Sequence, residues 1–235
     1  MIILVGGEKG GSGKSCLAQN IAVYLRRERK AKVLMVDCDP QRTTSDWIHE
    51  RNNNEQDLPT INCVQLYGKI RNELLSMKEL YDYVIVDCGG QDNLALRSSM
   101  AVADHILMPL RPKRRDLKTV PHMEDIVSTC KMVNPRMNVA FVVTQCPSLP
   151  NLAGRIIEAK EVCRSFELPV LNTVTYSRNI YDDSEEQGLS VMENEPNGKA
   201  AQEIRSIVDE LLARGKGESS NDLQQSDAKI AIGHA

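Results

Sequence analysis

The chain has 235 residues and a mass of 26.2 kDa, with 41% hydrophobic and 26% charged residues, a net charge of −3 and an isoelectric point near 5.9. This length predicts one domain with a full hydrophobic core, and the composition excludes a collagen-like, low-complexity or membrane-embedded protein. The slightly acidic balance excludes a global attraction to nucleic acid, so any such binding needs a local basic surface.

The cysteines and the first residues indicate the compartment. Seven cysteines are scattered without a C-x-x-C pair, which argues against structural zinc or an iron–sulfur cluster and for free thiols in a reducing setting. The opening segment "MIILVGG" contains an apolar run too short for a signal peptide or a membrane span. We therefore expect a cytoplasmic protein that does not enter the membrane.

Short apolar runs alternate along the chain with segments of helical periodicity. Six runs predict buried strands, at residues 2–5, 33–36, 83–86, 105–108, 139–143 and 169–174. Leu17, Ile21 and Leu25 follow i, i+4, i+8 spacing and predict a helix after the first strand, and Ile204 and Val208 belong to a similar late helix. The alternation predicts an α/β fold with a mostly parallel twisted sheet and helices on both faces.

The composition changes near the end of the chain. Residues 1–214 carry all the predicted elements and are interpreted as one domain. Residues 215–235, "GKGESSNDLQQSDAKIAIGHA", are polar and show no sustained period, which predicts a disordered tail. A tail that binds a partner remains an alternative.

The segment "GGEKGGSGKS" directly follows the first predicted strand and resembles a phosphate-binding loop. Gly10, Gly11 and Gly13 let consecutive backbone N–H groups turn towards phosphate oxygens. A helix that starts near Lys14 adds its positive N-terminal end, and the Lys14 ammonium adds a charge for the β and γ phosphates. The Ser15 hydroxyl is in the position of a Mg²⁺ ligand. The segment therefore predicts a nucleotide site.

Carboxylates follow two of the predicted strands. "VLMVDCDPQ" places Asp37 and Asp39 after one strand, and "YDYVIVDCGG" places Asp87 after another in the form of a Walker B strand. The carboxyl ends of parallel strands form the ligand-binding edge of an open α/β sheet, and carboxylate oxygens suit Mg²⁺. Gly89 and Gly90 allow backbone to approach a γ-phosphate, as a nucleotide-sensing switch requires.

Together these segments resemble the ParA/MinD family of ATPases, in particular small ParA-type DNA-partition proteins. "EKGGSGKS" has the deviant Walker A form K-G-G-x-G-K-[ST], "VDCDPQRTTSDW" is similar to the switch that follows it, and "VIVDCGG" is similar to the Walker B strand. "SRNIYDDSEEQGLSVMENEPNGKAAQEIRSIVDELL" resembles the end of these proteins more loosely. The resemblance spans residue 1 to about 213. It implies a P-loop NTPase fold, with ATP and Mg²⁺ as cofactors.

The resemblance also implies roles for individual residues. Two subunits of such a protein sandwich two ATP molecules, and the signature lysine, here Lys9, reaches the phosphates of the partner subunit. The implied catalytic residues are Lys9, Lys14 and Asp39, of which Asp39 orients the attacking water. Ser15, Asp37 and Asp87 are the implied Mg²⁺ residues. The chain departs from the family in its Gly7–Glu8 step before Lys9 and in Gly89–Gly90, where Pro-Pro is more usual, which leaves switch motion and hydrolysis rate open.

The expected nucleotide-binding set has two parts. The phosphate part comprises Lys9, Gly10, Gly11, Ser12, Gly13, Lys14, Ser15 and Cys16. The loop "TQCPSLP" follows a predicted strand, and Gln145 and Pro147 in it are candidates to frame the adenine. An ordinary surface loop is the alternative for this segment.

The resemblance implies non-specific DNA binding by the ATP-bound homodimer and release when a small DNA-binding adaptor protein stimulates hydrolysis. The cations predicted to contact DNA are Arg178, Lys199, Arg205 and Arg214, and a second basic run is "RPKRRD" at residues 111–116. Such a protein would be associated with the nucleoid. A solvated charged face is the alternative for each basic group.

The sequence therefore predicts a Mg²⁺-dependent ATPase for plasmid or chromosome partition, with weak activity in the absence of its adaptor. A ParA-like ATPase that positions another cargo, such as a conjugation complex or a protein compartment, remains an alternative. A metabolic P-loop enzyme is a further one, against which the Lys9/Lys14 pair argues. A membrane-bound MinD-like protein is disfavoured because the last residues offer one lysine and no aromatic anchor. The isolated Cys88 disfavours an electron-transfer reductase.

Overall fold

The computed structural model describes residues 1–90, 94–186 and 188–214. Its strands are β1 (Ile2–Val5), β2 (Val33–Asp37), β3 (Asn62–Gln65), β4 (Tyr83–Asp87), β5 (His105–Leu110) and β6 (Asn138–Val143). Its helices are α1 (Lys14–Arg27), α2 (Thr43–Asn52), α3 (Arg71–Leu80), α4 (Leu94–Met100), α5 (Arg114–Leu117), α6 (Val120–Val133), α7 (Gly154–Ser165), α8 (Asn179–Glu185), α9 (Val191–Asn194) and α10 (Lys199–Arg214). The predicted tail, 215–235, lies outside the described residues.

The strands form one sheet in the order β3-β2-β4-β1-β5-β6, and every pairing between them is parallel. The helices between successive strands provide the crossovers that a parallel sheet requires. All the strands therefore end at the same edge of the sheet, and in the register Asp37 lies opposite Asp87. The predicted α/β fold with a parallel sheet is confirmed.

Helices cover both faces of the sheet. Alternate strand residues point to opposite faces, so that Leu4 belongs to one apolar cluster and Ile3 to the other. The first cluster is closed by side chains of α3, α4, α6 and α7, and the second by side chains of α1, α2, α9 and α10. Burial of both strand faces explains why five of the six strands are almost continuously apolar in the sequence.

The edges of the sheet differ from the sequence prediction. Residues 169–174 do not form a strand: the Pro169 carbonyl accepts the Phe141 N–H and Leu171 donates to the Phe141 carbonyl, but the next two amides turn away. The amides of residues 172 and 173 donate instead to the Glu210 carboxylate of α10, at 2.6 and 2.9 Å. At the other edge, β3 was not predicted, because its partly exposed polar sequence NCVQ lacks an apolar run.

Two further properties follow from the described helices and cysteines. None of the helices in residues 1–90, 94–186 and 188–214 has the length and apolar character needed to cross a membrane.

All seven cysteines are free thiols, and five of them are buried, as expected for small apolar side chains in a core.

Candidate nucleotide site

The phosphate loop connects the end of β1 to the first turn of α1. Gly11 and Gly13 have φ angles of +72° and +86°, a conformation that disfavours any residue with a Cβ atom. The Thr144 hydroxyl at the end of β6 donates to the Ser12 carbonyl at 2.8 Å, and the Gln145 amide donates to the Gly11 carbonyl at 3.0 Å. Two bonds from the end of β6 therefore hold the loop in its wound shape.

The two lysines of the loop have different environments. Lys14 is 7% exposed, and its ammonium donates to the Lys9 carbonyl at 2.7 Å. Burial lowers the Lys14 pKa, and the nearby carboxylates of Asp87 and Asp39 partly oppose this effect. The Lys9 side chain is half-buried, and its ammonium has no hydrogen-bond or ion-pair partner within the described residues. Lys14 is thus committed to the loop of its own chain, whereas the Lys9 ammonium is not.

Asp37 lies at the end of β2 and is fully buried. One of its carboxylate oxygens accepts the Asp39 N–H at 3.0 Å, and the other accepts the Ser45 N–H at 2.8 Å and the Ser45 hydroxyl at 2.7 Å. These bonds fix the turn after β2 against the first turn of α2. Ser45 was not predicted as a site residue, although a hydroxyl soon after D-x-D is a typical helix-start residue.

Asp87 lies beside Asp37 at the end of β4 and is 1% exposed. Its carboxylate accepts the Thr44 hydroxyl at 2.7 Å, and the nearby Ser15 hydroxyl also favours its charged form. Burial raises the pKa of Asp87 to about 6, even though both hydroxyls favour the charged form. The fold therefore brings Ser15, Thr44 and Asp87 together at the loop, and Thr44 was missed by the sequence prediction.

Gly89 and Gly90 are packed too closely for side chains. A Cβ atom on Gly89 would lie 2.8 Å from an Asp39 carboxylate oxygen, and a Cβ atom on Gly90 would lie 2.8 Å from the Gly10 nitrogen. The departure from the Pro-Pro of the family thus coincides with direct contact between the end of β4 and the phosphate loop. Asp39 also accepts the Gln41 N–H at 2.9 Å, so its carboxylate is oriented at the same junction.

A cavity of about 480 Å³ opens beside the loop. Of the predicted residues, Gly10, Gly11, Gly13, Lys14, Ser15, Cys16, Asp39 and Gln145 line this cavity. The described lining does not include Lys9, Ser12 or Pro147 of the expected nucleotide-binding set, nor the buried Asp37 and Asp87. The rest of the wall includes a group that was not predicted to bind nucleotide, namely Thr175, Tyr176, Ser177, Tyr181, Asp182 and Glu185. This group comes from α8 and the segment before it, and the only sequence signal was the looser resemblance of "SRNIYDDSEEQG".

The donor set fits a nucleoside phosphate with a hard cation. The glycines form a cradle that Cβ atoms would fill, and the buried Lys14 supplies a charge at its base. The hydroxyl and carboxylate oxygens of Ser15 and Asp87 are of the type that Mg²⁺ prefers. Within the part of the chain that the structure describes, no three His, Cys, Asp or Glu side chains are grouped to hold a metal ion alone. Mg²⁺ would accordingly depend on phosphate oxygens and water for most of its ligands.

Of the four cations predicted to contact DNA, three are already bonded within the chain, and one of these three, Arg178, lines the nucleotide cavity. Arg178 forms two bonds of 2.9 and 2.6 Å to Glu203, and Arg205 is paired with Glu28 at 2.6 Å. Arg214 donates to a backbone carbonyl of residue 170 at 3.2 Å. Lys199 is exposed at the start of α10 and has no partner within the described residues. Their contact with DNA stays a prediction.

Comparison with known proteins assigns the family and the fold. The model of the CobQ/CobB/MinD/ParA nucleotide-binding domain matches residues 3–191. The chain belongs to this family. The match contains the phosphate loop, both strand-end aspartates and the loop after β6, and the predicted ParA/MinD family is confirmed.

The relatives and the solved structure described below match this chain over most of its length and over most of their own. The chain is 24% identical over 212 residues to the maintenance of carboxysome distribution protein A of Halothiobacillus neapolitanus, covering 89% of this chain and 95% of that protein. It is 23% identical over 256 residues to the sporulation initiation inhibitor protein Soj of Bacillus subtilis, covering 91% and 99%. The structure of apo McdA from Cyanothece superposes with a TM-score of 0.73 at 16% identity, covering 89% and 98%, and shows that the fold is shared.

Proposed function

We propose that this ParA/MinD-family protein is a Mg²⁺-dependent ATPase that dimerises on binding ATP and partitions DNA. In this proposal the protein is located in the cytoplasm and associates with the nucleoid. In this proposal the ATP-bound dimer holds DNA non-specifically, and a small DNA-binding adaptor protein stimulates hydrolysis and release. The proposal is supported by the nucleotide cavity, by the family and by relatives that include the chromosome-partitioning protein ParA of Myxococcus xanthus.

The observation that carries the proposal is the contrast between the two lysines of the phosphate loop. Lys14 is buried and bonded within its own loop, so it can serve the nucleotide of its own subunit. Among the described residues, the Lys9 ammonium at the rim of the same loop has no partner. A second subunit that faces this rim would bring a triphosphate towards Lys9, and the opposite charges would favour the dimer.

The remaining site residues support hydrolysis in this arrangement. Asp39 is oriented by the Gln41 N–H at the mouth of the cavity and is proposed to position the attacking water. Ser15 and Asp87 are proposed to hold Mg²⁺, with Asp37 behind them fixing the turn that carries Asp39. When bound, Mg²⁺ would neutralise phosphate charge. Since the chemistry depends on positioning and charge, a partner that closes the site would control the rate.

A second candidate is supported by a specific similarity. The first relative described above is a carboxysome distribution protein. The solved structure of apo McdA, also described above, has the same fold as this chain. The same dimerising ATPase would then position a protein compartment or another large cargo. Both candidates use the same nucleotide cycle, and they differ in what the adaptor protein joins to the ATPase.

The substitution Lys9→Ala tests the proposed dimer. Nucleotide affinity, measured by titration calorimetry on the monomer, should change less than about threefold, because the loop bonds of Lys9 come from its backbone carbonyl, which the substitution keeps. Dimerisation with a slowly hydrolysed ATP analogue, measured by analytical ultracentrifugation, should be lost. Lys131→Ala, which removes an exposed lysine at the end of α6, should behave as wild type in both measurements. A Lys9→Ala protein that dimerises with wild-type affinity would reject the proposal.

A further inference from the structure

The basic run of residues 111–116 contains two kinds of cation. The Arg111 guanidinium forms a bidentate pair with Asp116 at 2.7 and 3.1 Å, and Asp116 is 1% exposed. Lys113, Arg114 and Arg115 between these two residues are exposed and have no hydrogen-bond or ion-pair partner among the described residues. The Arg111–Asp116 pair therefore joins the two ends of this short segment, and the three cations between them are exposed to solvent.

Two further cations extend the exposed group. Lys118 follows α5 and is also exposed without a partner in the described chain. Across a cavity of about 460 Å³, the first turn of α7 contributes Arg155 beside Lys113 and Arg114, with Glu158 as the carboxylate in the cavity wall. We refer to Lys113, Arg114, Arg115, Lys118 and Arg155 as the α5–α7 surface. Three of these five cations line the cavity with one carboxylate, whereas the chain as a whole has a net negative charge.

The α5–α7 surface lies beside the phosphate loop. It follows β5, whose carboxyl end is at the same edge of the sheet as that of β1, and Arg111 donates to the Gly10 carbonyl at 3.3 Å. A Cβ atom on Gly11 would lie 3.3 Å from the Arg111 guanidinium. One arginine thus contacts both the nucleotide loop and the segment that presents the cations.

We propose that the α5–α7 surface binds the phosphate backbone of duplex DNA. The inference rests on the proposed function and assigns its DNA contact to a surface other than the predicted cations near the C-terminus. Unpaired, exposed cations can exchange their counterions for DNA phosphates, whereas Arg178 and Arg205 must first give up carboxylate partners. An ATP-driven dimer would present the surface twice and raise the affinity for one duplex.

The test compares two variants with the same change of charge. Lys113→Gln, Arg114→Gln and Arg155→Gln are combined in one protein, and Lys131→Gln, Arg136→Gln and Arg164→Gln in the other. The second set is exposed, unpaired in the described residues and placed towards the opposite edge of the sheet. Duplex DNA binding is measured by fluorescence anisotropy with an ATP analogue over a salt series, with nucleotide affinity as a check of folding.

The first variant should bind DNA at least about tenfold more weakly, and its slope of log affinity against log salt should decrease by about 2 to 3, or about one per removed phosphate contact. The control should keep the wild-type affinity and slope, and both variants should bind nucleotide normally. If the first variant bound DNA as tightly as wild type, or if both variants lost DNA affinity equally, the inference would be wrong but the proposed function would stand. Polyglutamate serves as a polyanion other than DNA. If the wild-type protein bound polyglutamate at this surface but did not bind DNA, both the inference and the DNA form of the proposed function would be wrong.

Discussion

At the scale of single residues, the glycines after β4 determine how closely the end of this strand approaches the nucleotide loop. Gly90 leaves no room for a Cβ atom beside the backbone of Gly10, and Gly89 leaves room for the Asp39 carboxylate. Neither glycine needs a left-handed φ angle, so their role is to provide space. A nucleotide-dependent shift of Gly10 would consequently be felt at the end of β4, which is a physical route from the bound phosphate to the rest of the sheet.

The substitution Gly90→Ala should damage the phosphate loop. Its Cβ atom would lie 2.8 Å from the Gly10 nitrogen and 3.0 Å from the Gly10 Cα, so the loop backbone has to move. We expect nucleotide affinity, measured by titration calorimetry, to fall by about tenfold or more, since a loss of about 1.4 kcal/mol is sufficient for this. Gly154→Ala at the start of α7 adds a methyl group where no atom lies within 4 Å and should leave the affinity unchanged. Equal affinities for the two variants would contradict this account.

The buried carboxyl of Asp87 makes stability depend on pH. Its pKa is about 6 in the folded protein, compared with an ordinary value of 3.8. Between these two values the folded protein holds more protons than the unfolded chain, so the free energy of unfolding falls as pH rises from about 4 to about 6. Above that range the destabilisation is complete, at up to about 3 kcal/mol for a shift of about two units.

The substitution Asp87→Asn removes the charge and keeps the size of the side chain. The variant should be more stable than wild type above about pH 6, and the difference should shrink as pH falls towards 4. Urea unfolding of the nucleotide-free proteins at pH 4.5, 5.5, 6.5 and 7.5 measures this trend. Asp46→Asn, at a carboxylate that is 63% exposed, is the control and should give a nearly constant difference. A constant difference for Asp87→Asn as well would show that burial of this charge does not cost stability.

At the scale of elements, α2 connects the two strand-end aspartates to α9. Its first turn provides Thr44 and Ser45, which bond Asp87 and Asp37. Its last turn provides Arg51, whose guanidinium forms two bonds of 2.8 and 2.6 Å to Glu193 of α9. The Arg51 side chain is fully buried, so this ion pair is a fixed joint between α2 and α9.

Arg51→Ala should therefore destabilise the protein by about 3 to 5 kcal/mol, because it leaves the Glu193 carboxylate buried without its partner. Arg29→Ala provides a matched comparison, since Arg29 is paired with Asp209 at the same distance of 2.6 Å but the two side chains are 52% and 54% exposed. Its cost should remain below about 1 kcal/mol. Chemical unfolding at neutral pH measures both values. Similar costs for the two variants would mean that the buried pair does not hold α2.

At the scale of the whole molecule, the nucleotide cavity is lined by elements from both ends of the chain. The phosphate loop follows β1, whereas Tyr181, Asp182 and Glu185 belong to α8. Between them, Thr144 and Gln145 at the end of β6 bond the loop backbone. Since the wall depends on segments far apart in sequence, nucleotide binding should stabilise the fold as a unit.

ADP at about 100 times its dissociation constant should add about 2.7 kcal/mol to the free energy of unfolding. For a protein of this size the corresponding rise in Tm is about 5 to 10 °C. Scanning calorimetry over a series of ADP concentrations measures this rise and shows whether a single transition moves. Lys14→Ala removes the buried cation of the loop and should abolish the shift. A rise in Tm of the same size in that variant would show that ADP binds elsewhere.

The sequence by itself determined the strands of the sheet interior and the phosphate loop. Both are encoded locally: a buried parallel strand is a short apolar run, and the wound loop requires glycine at Gly11 and Gly13. The aspartates after β2 and β4 were predictable for the same reason, because strand ends in such a sheet meet at one edge. The predicted family rested on these segments and is confirmed.

The tertiary structure alone decided the partners of these residues. The predicted strand at 169–174 is replaced by contacts with Glu210, about 40 positions later in the chain, whose carboxylate accepts the amides of residues 172 and 173. In the same way, the sequence gives no partner for Arg205, but the fold pairs it with Glu28. The sequence also does not distinguish Arg114 from the neighbouring cations, whereas the fold brings Arg155 into the same cavity wall. Hydrogen bonding and ion pairing between distant segments leave no local pattern, because they depend on how the helices pack on the sheet.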